Sequence, residues 1–218
     1  MSRQNRRKPI SLENIEIVNT ASKGKSVAKH EGRVIFVKGG VPGDICNITV
    51  FKKRKKYWEA NIDKIIQKSI HRIEPECSHF GTCGGCKWQN MTYASQLQFK
   101  QDEVLNNLSK IGGVSITKFN EILGSKKELN YRNKMEFTFS NKRWLTKEEI
   151  QNENKIADKN ALGFHVPGMF DKVIDLKKCY LQEEPSNRIR NSIREFALKN
   201  NLSFFDIKNQ EGFLRNLM

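Results

Sequence analysis

The 218-residue chain contains no run of about 18 apolar residues, so no segment of it reads as a membrane-spanning helix. Its first residues, MSRQNRRKPIS, are basic but lack the apolar stretch and small-residue cleavage site of a secretory leader. Acid is in short supply: 24 Asp and Glu stand against 39 Lys and Arg, a net charge of +15. Nor is there an internal repeat, or a glycine-rich loop of the kind that follows a strand and cradles a nucleotide cofactor. KGGVPGD and KIGGV read as turns and a helix stop, and GTCGGC as part of a cysteine loop. With 37% hydrophobic and 29% charged residues, the expectation is a soluble, cytoplasmic, monomeric protein with no membrane partner. In that compartment thiols stay reduced, so clustered cysteines bind metal more often than they form disulfides.

The positive excess is uneven. Residues 1–71 hold 16 Lys and Arg against 6 Asp and Glu, whereas residues 72–218 hold 23 against 18. A third of the chain thus carries two thirds of the excess, the footprint of a polyanion-binding module. General solubility is the bland alternative. The run 52-KKRKKYW-58 favours nucleic acid.

Fold class reads as α+β. Residues 1–10 form a basic flexible tail, and residues 11–70 read as about five short strands separated by turn residues. That pattern predicts a small barrel like an oligonucleotide-binding fold. Cys46, Ile48 and Val50 share one face by period-two alternation, which makes Cys46 a core residue. Residues 71–218 predict a mixed domain with an antiparallel sheet. It opens on the cysteine loop and a helix capped by Thr92, with Leu97, Val104, Leu108 and Ile111 as a core-facing stripe. YRNKMEFTFS then places Met135, Phe137 and Phe139 on one face, and 161-ALGFHVPGMFDKVIDL-176 reads as two strands around a Pro-Gly turn. The stretch 146–160 reads as a hairpin tip or mobile loop. A second helix over 186–200 has Ser186 as its cap and Ile189, Ile193 and Phe196 facing inward. The closing FFDIKNQEGFLRNLM reads as a strand in progress, and the expectation is that this domain is truncated at its C-terminal end.

Three of the five cysteines fall within 77-CSHFGTCGGC-86, and Cys179 lies 93 positions past Cys86. Structural zinc usually takes its ligands as two close pairs, each spanning one edge of a tetrahedron. One loop bearing Cys77, Cys83 and Cys86, with Cys179 solitary, suits a four-iron cubane better, since three corners are gripped locally and one from afar. Gly84 and Gly85 let the backbone approach inorganic sulfide. The spacing favours iron–sulfur and leaves zinc open. His79 could replace a cysteine in the zinc reading, though a lone surface-loop histidine is more often not a ligand. If Cys179 completes the set, no iron stays open, and the cluster is structural or electron-carrying.

CSHFGTCGGCKWQNMTYASQLQFKQ, YRNKMEFTFS and LGFHVPGMFDKVIDLKKCYL together resemble the RNA uracil-C5 methyltransferases of the TrmA/RumA type, and the resemblance runs over essentially the whole chain. It implies that the front barrel is a TRAM domain for RNA and that Cys77, Cys83, Cys86 and Cys179 hold a [4Fe–4S] cluster. A Rossmann-like methyltransferase domain should follow. In such enzymes a cysteine thiolate adds to uracil C6, C5 then takes the methyl of S-adenosylmethionine, and a carboxylate removes the C5 proton. Neither a cofactor loop nor a spare cysteine is visible here, because four are committed and Cys46 lies in the barrel. The chain therefore reads as the RNA- and cluster-binding portion of a methyltransferase, inactive alone. It has no catalytic residue and no S-adenosylmethionine-binding residue of its own. Ribosomal RNA, specifically 23S, is favoured over transfer RNA. A stand-alone zinc- or cluster-bearing RNA-binding module and an electron carrier are the alternatives.

Phosphate attraction is expected from Lys52, Lys53, Arg54, Lys55 and Lys56, supplemented by Arg3, Arg6, Arg7 and Lys8. Tyr57 and Trp58 offer a stacking face, though alternation places one of them inward. Arg132 and Lys134 point away from the Met135 face and are RNA candidates. Phe164 and His165 are weaker ones. Trp88 is expected to shield the cluster.

Overall fold

A computed structural model describes residues 9–151 and 158–218, leaving the basic tail and part of the expected loop at 146–160 outside the described residues. The chain forms two compact units, Met1–Glu76 with Lys87–Gly124, and Cys77–Cys86 with Ser125–Met218. This partition differs from a boundary at residue 70. The cysteine loop groups with the later sequence, but the helix after it groups with the barrel.

The first unit is built on β1 (Ile10–Ala21), β2 (Lys25–His30), β3 (Arg33–Lys38), β4 (Ile45–Lys53) and β5 (Tyr57–Gln67). They close in the order β1-β2-β3-β5-β4, with β3 and β5 parallel and every other pair antiparallel. The predicted small barrel is therefore present, with β1 starting at the last residue assigned to the tail. Inward residues alternate: Ile15 and Ile17, Ile35 and Val37, then Cys46, Ile48 and Val50, all buried in one cluster. Each such aliphatic side chain contributes about 1.5–3 kcal/mol of burial. The β2–β3 turn uses Glu31 and Gly32, both at positive φ (48° and 72°), the twist that a two-residue hairpin favours. Register shifts in β1 and β4 supply the bends that closure requires.

Asp44 locks one end of the barrel. Its fully buried carboxylate accepts from the Val41 N–H at 2.7 Å, the Ser69 N–H at 3.0 Å and Arg72 Nε at 2.9 Å. Helix α1 (Tyr93–Asn106) is tied to the same unit. The Thr92 side chain caps it by accepting from the Ser95 N–H, Ser95 Oγ bonds His71 Nδ1 at 2.8 Å, and Ser22 Oγ donates to Glu103 at 2.7 Å. The expected core stripe is not formed here. Val104 is 56% exposed and Ile111, in the wide turn Asn107–Ile111 that follows, is 82% exposed. The helix is held by polar groups near both ends, and of its apolar stripe Leu97 is half-buried while Val104, Leu108 and Ile111 are exposed.

The second unit carries β6 (Phe137–Ser140), the short helix α2 (Lys147–Gln151), β7 (Ala161–His165), β8 (Val173–Asp175), α3 (Ser186–Lys199) and β9 (Asn216–Leu217). Its sheet runs β8-β7-β6-β9, antiparallel throughout. Met135, Phe137 and Phe139 lie in the core as expected, with Leu162, Ile174, Leu176, Ala197 and Phe204. The two units together make the fold α+β.

Helix α3 ends one residue short of the expected span, and only part of the expected face is inward: Ile193 packs against the core. Ile189 and Phe196 are exposed at 51% and 61%, whereas Asn187, Arg190 and Ala197 are buried. Ser186 is not its cap; Pro185 holds that position, and Ser186 Oγ donates instead to Gln182. The helix turns its polar residues inward because the segment 177–179 presents backbone groups there that need partners.

Candidate functional site

The loop 77–86 is wound by local backbone bonds. The Phe80 N–H donates to the Cys77 carbonyl at 3.0 Å, and the Cys83 N–H donates to the His79 carbonyl at 2.8 Å. Glycine is needed at position 84, where a Cβ would stand 2.9 Å from the His165 carbonyl oxygen. The Gly85 N–H reaches the Cys83 sulfur at 3.4 Å, a donor placed to stabilise a thiolate. His79 Nε2 accepts from the Lys177 N–H at 3.3 Å, so this ring braces the loop against the segment leading to Cys179.

Cys179 is fixed on both sides of its own backbone. Its N–H donates to Asn187 Oδ1 at 2.8 Å and its carbonyl accepts from Asn187 Nδ2 at 3.1 Å. Cys83, Cys86 and Cys179 all pack against the core of the second unit. The thiols also act on one another. Burial pushes Cys83 up to about 11; the Gly85 N–H opposes this, and the charges of Cys86, Cys77 and Cys179 add to it. Burial also raises Cys179, against the Leu181 N–H and the charges of Arg190 and Arg132, with Cys77 pushing it further up. None of the five cysteines is in a disulfide. Cys46 is apart from this group, fully buried in the barrel, its thiol pushed up to about 11 by burial.

Among the described residues, no group of three or more His, Cys, Asp or Glu side chains is arranged to hold a metal ion. Tetrahedral zinc with bonds of about 2.3 Å requires its sulfurs nearly in contact. A polynuclear group carries one thiolate per corner and spreads its ligands further. In donor chemistry alone, four cysteines in one unit, a Gly85 N–H directed at the Cys83 sulfur and a loop that needs glycine at position 84 are what such a group would use.

The cationic face of the barrel departs from expectation in detail. Lys53, Arg54, Lys55 and Lys56 are exposed around the β4–β5 turn. Lys52 is exposed too, but its ammonium is 2.9 Å from Glu59, which Lys25 also meets at 3.0 Å. These lysines, Lys52 first, lower the Glu59 carboxyl to about 2. Lys52 is thus largely neutralised locally and offers less to a phosphate than its neighbours do.

Tyr57 and Trp58 are both half-buried, so neither lies wholly inward. The Trp58 ring is flanked by Arg33 at 4.6 Å and Lys53 at 5.5 Å, while Lys38 sits 5.0 Å from exposed Phe51. Arg33, Lys38 and Phe51 were not expected at this face. Parallel pairing of β3 with β5 brings Arg33 to Trp58, and no local sequence signal announces a parallel neighbour.

Arg132 and Lys134 are exposed as expected, although they precede β6 and are not within it. Arg132 lines a cleft with Met135, Phe137, Ile189 and Arg190. Phe164 packs on Phe137 at 5.2 Å, and His165 Nδ1 is buried with no partner among the described residues. Trp88 belongs to the first unit, its ring 5.9 Å from Lys100. No helix among the described residues is long and apolar enough to cross a membrane.

No protein-family model matches the chain. Curated relatives do. A protein named an RNA methyltransferase in Bacteroides thetaiotaomicron is 48% identical over 91% of this chain and 44% of its own length. One from Porphyromonas gingivalis is 42% identical over 94% of the chain and 45% of its length. A third, from Chlorobaculum tepidum, is 41% identical over 94% and 43% respectively.

The chain is similar to RNA methyltransferases. It spans less than half the length of these curated relatives. A solved structure, the Pyrococcus abyssi tRNA (uracil-54, C5)-methyltransferase in complex with S-adenosyl-L-homocysteine, shares the fold. Its TM-score is 0.58, at 24% identity over 93% of this chain and 41% of that one.

Proposed function

We propose that this chain is the RNA-recognition and cluster-binding portion of an S-adenosylmethionine-dependent RNA uracil-C5 methyltransferase. The observation that carries the reading is the gathering of Cys83, Cys86 and Cys179 on the core of one unit, which also holds Cys77. That gathering occurs in a chain similar to RNA methyltransferases over nine tenths of its length. Those four residues would hold a [4Fe–4S] cluster, which when bound supplies a rigid cross-link, with every iron already ligated by protein. Asn187 positions Cys179, Gly85 donates to Cys83, and His79 ties the loop to residue 177.

The barrel supplies the RNA face: Arg33, Lys53 and the turn Arg54–Lys56 attract phosphate, and Trp58 offers the edge of a stacking surface. Arg132 and Lys134 extend that role in the second unit. The cofactor site and the catalytic cysteine are proposed to lie in the part of the relatives that this chain does not match, so the chain alone binds RNA without methylating it. Ribosomal RNA was the substrate favoured by the barrel. The fold neighbour acts on transfer RNA, and that substrate fits this chain equally well. Binding assays with both RNAs over a salt series, beside a methyl-transfer assay of the chain alone, test the reading. Salt-insensitive binding, or methyl transfer by these 218 residues, would overturn it.

A further inference from the structure

Arg190 is the largest of the fully buried side chains, at 1% exposure, and no carboxylate forms an ion pair with it among the described residues. Asp175, the nearby acid on β8, is taken by Arg194 at 2.6 Å. Arg190 instead spends its donors on the backbone and amides around Cys179. Nη1 donates to Asn187 Oδ1 at 3.0 Å, the same oxygen that accepts from the Cys179 N–H. Nη2 donates to the Lys177 carbonyl at 2.9 Å and to Asn191 Oδ1 at 3.2 Å. Nε is buried without a partner among the described residues. One face of the guanidinium covers the Phe137 ring, 5.1 Å away.

A buried, unpaired cation is costly, and a folded chain keeps one only where a compensating charge stands near. Arg190 is fixed to the Cys179 segment directly, since its Nη1 and the Cys179 N–H share the Asn187 Oδ1 acceptor. That α3 buries Arg190 while leaving Ile189 and Phe196 exposed is a local rule broken at this one place.

We infer that Arg190 is the counter-charge of the cysteine centre: a positioning residue that clasps the Lys177–Cys179 segment and offsets the negative charge of four thiolates and the group they hold. The inference rests on the cluster reading. Thiolates would bring four negative charges to a half-buried site, more than the iron and sulfide core returns, and Arg190 is a buried cation fixed to the segment that carries Cys179. Its unspent Nε–H is one donor left for a sulfur acceptor.

The test compares wild type with Arg190→Lys, Arg190→Gln and Arg190→Met after anaerobic reconstitution with iron and sulfide. Three readouts are taken: the rate of iron loss to a chelator, the cluster's midpoint potential, and helix content of the metal-free chain. The neutral variants should lose iron about tenfold faster and show a more negative potential, because removing a nearby cation disfavours the added electron. Arg190→Lys should stay near the wild-type potential. Neutral variants with wild-type loss rate and potential would overturn the inference. So would a lysine variant shifted as far as methionine. Neutral variants that fail to fold even without metal would also overturn it, since Arg190 would then serve the fold alone. A wild-type chain that takes up neither iron nor sulfide defeats the cluster reading itself, a result separable from any failure confined to position 190.

Discussion

Asn187 holds Cys179 by both backbone groups, accepting its N–H at 2.8 Å and donating to its carbonyl at 3.1 Å. One side chain from α3 thereby replaces the strand partner that an extended cysteine would otherwise need. Asn187→Ala removes both bonds and leaves two backbone groups unpaired. We expect it to lower the stability of the second unit by about 1–3 kcal/mol. It should also weaken iron retention by roughly tenfold, measured as release to a chelator. Unchanged retention would show that Cys179 needs no such clasp.

Asp44 offers a test of the barrel that is independent of the cysteines. Burial works to raise its carboxyl, but Arg72 and the Ser69 and Val41 N–H groups more than offset this and leave it lowered. A lowered folded value means the stabilisation is full above the ordinary aspartate value, about 4. It is lost as pH falls through the folded value. Arg72→Met strands a buried carboxylate and should cost about 3–5 kcal/mol at neutral pH in urea unfolding. The same variant should also recover relative to wild type in acid, as Asp44 takes up a proton. A constant difference from pH 7 to pH 3 would count against the ion pair as the source.

For RNA, Lys52 and Lys55 should behave differently although they share one basic run. Lys52 is engaged by Glu59, whereas Lys55 is exposed at the turn. Lys55→Ala should flatten the dependence of log affinity on log salt by about 0.7, the value for one phosphate contact to a single strand. Lys52→Ala should move it much less. Glu59→Gln releases Lys52 and Lys25 together and should steepen the slope. Equal effects from all three substitutions would mean the Glu59 pairing does not matter to RNA.

The apolar stripe of α1 separates helix pattern from packing. Val104→Ser and Ile111→Ser should change the stability of this chain by no more than about 0.5 kcal/mol, because both side chains are already solvated. Ile48→Ala, deep in the barrel, should cost about 2–5 kcal/mol. A large loss at position 104 would mean the helix packs more tightly than its exposure shows.

The barrel was legible because its alternation is strict: Cys46, Ile48 and Val50 were placed inward by period two alone and are buried. The face of each helix was not. In α1 the spacing of Val104, Leu108 and Ile111 is helical, yet spacing says nothing about whether another element lies opposite. In α3 the pattern named Ile189 and Phe196 as core, but the backbone around Cys179 required donors, and Asn187 and Arg190 took the interior positions. Residue 179 could be linked to the loop 77–86 only through ligand spacing and family resemblance, since 92 intervening positions leave no local trace of the meeting. Arg33 beside Trp58 was hidden for a similar reason, because the β3–β5 pairing is non-local.

The most direct test is iron and acid-labile sulfide per chain after anaerobic purification, for wild type, Cys179→Ala and Cys46→Ala. A cubane held by Cys77, Cys83, Cys86 and Cys179 predicts about four of each in wild type and in Cys46→Ala, with most of both lost in Cys179→Ala. One zinc without sulfide, or full iron retained in the absence of Cys179, would contradict it.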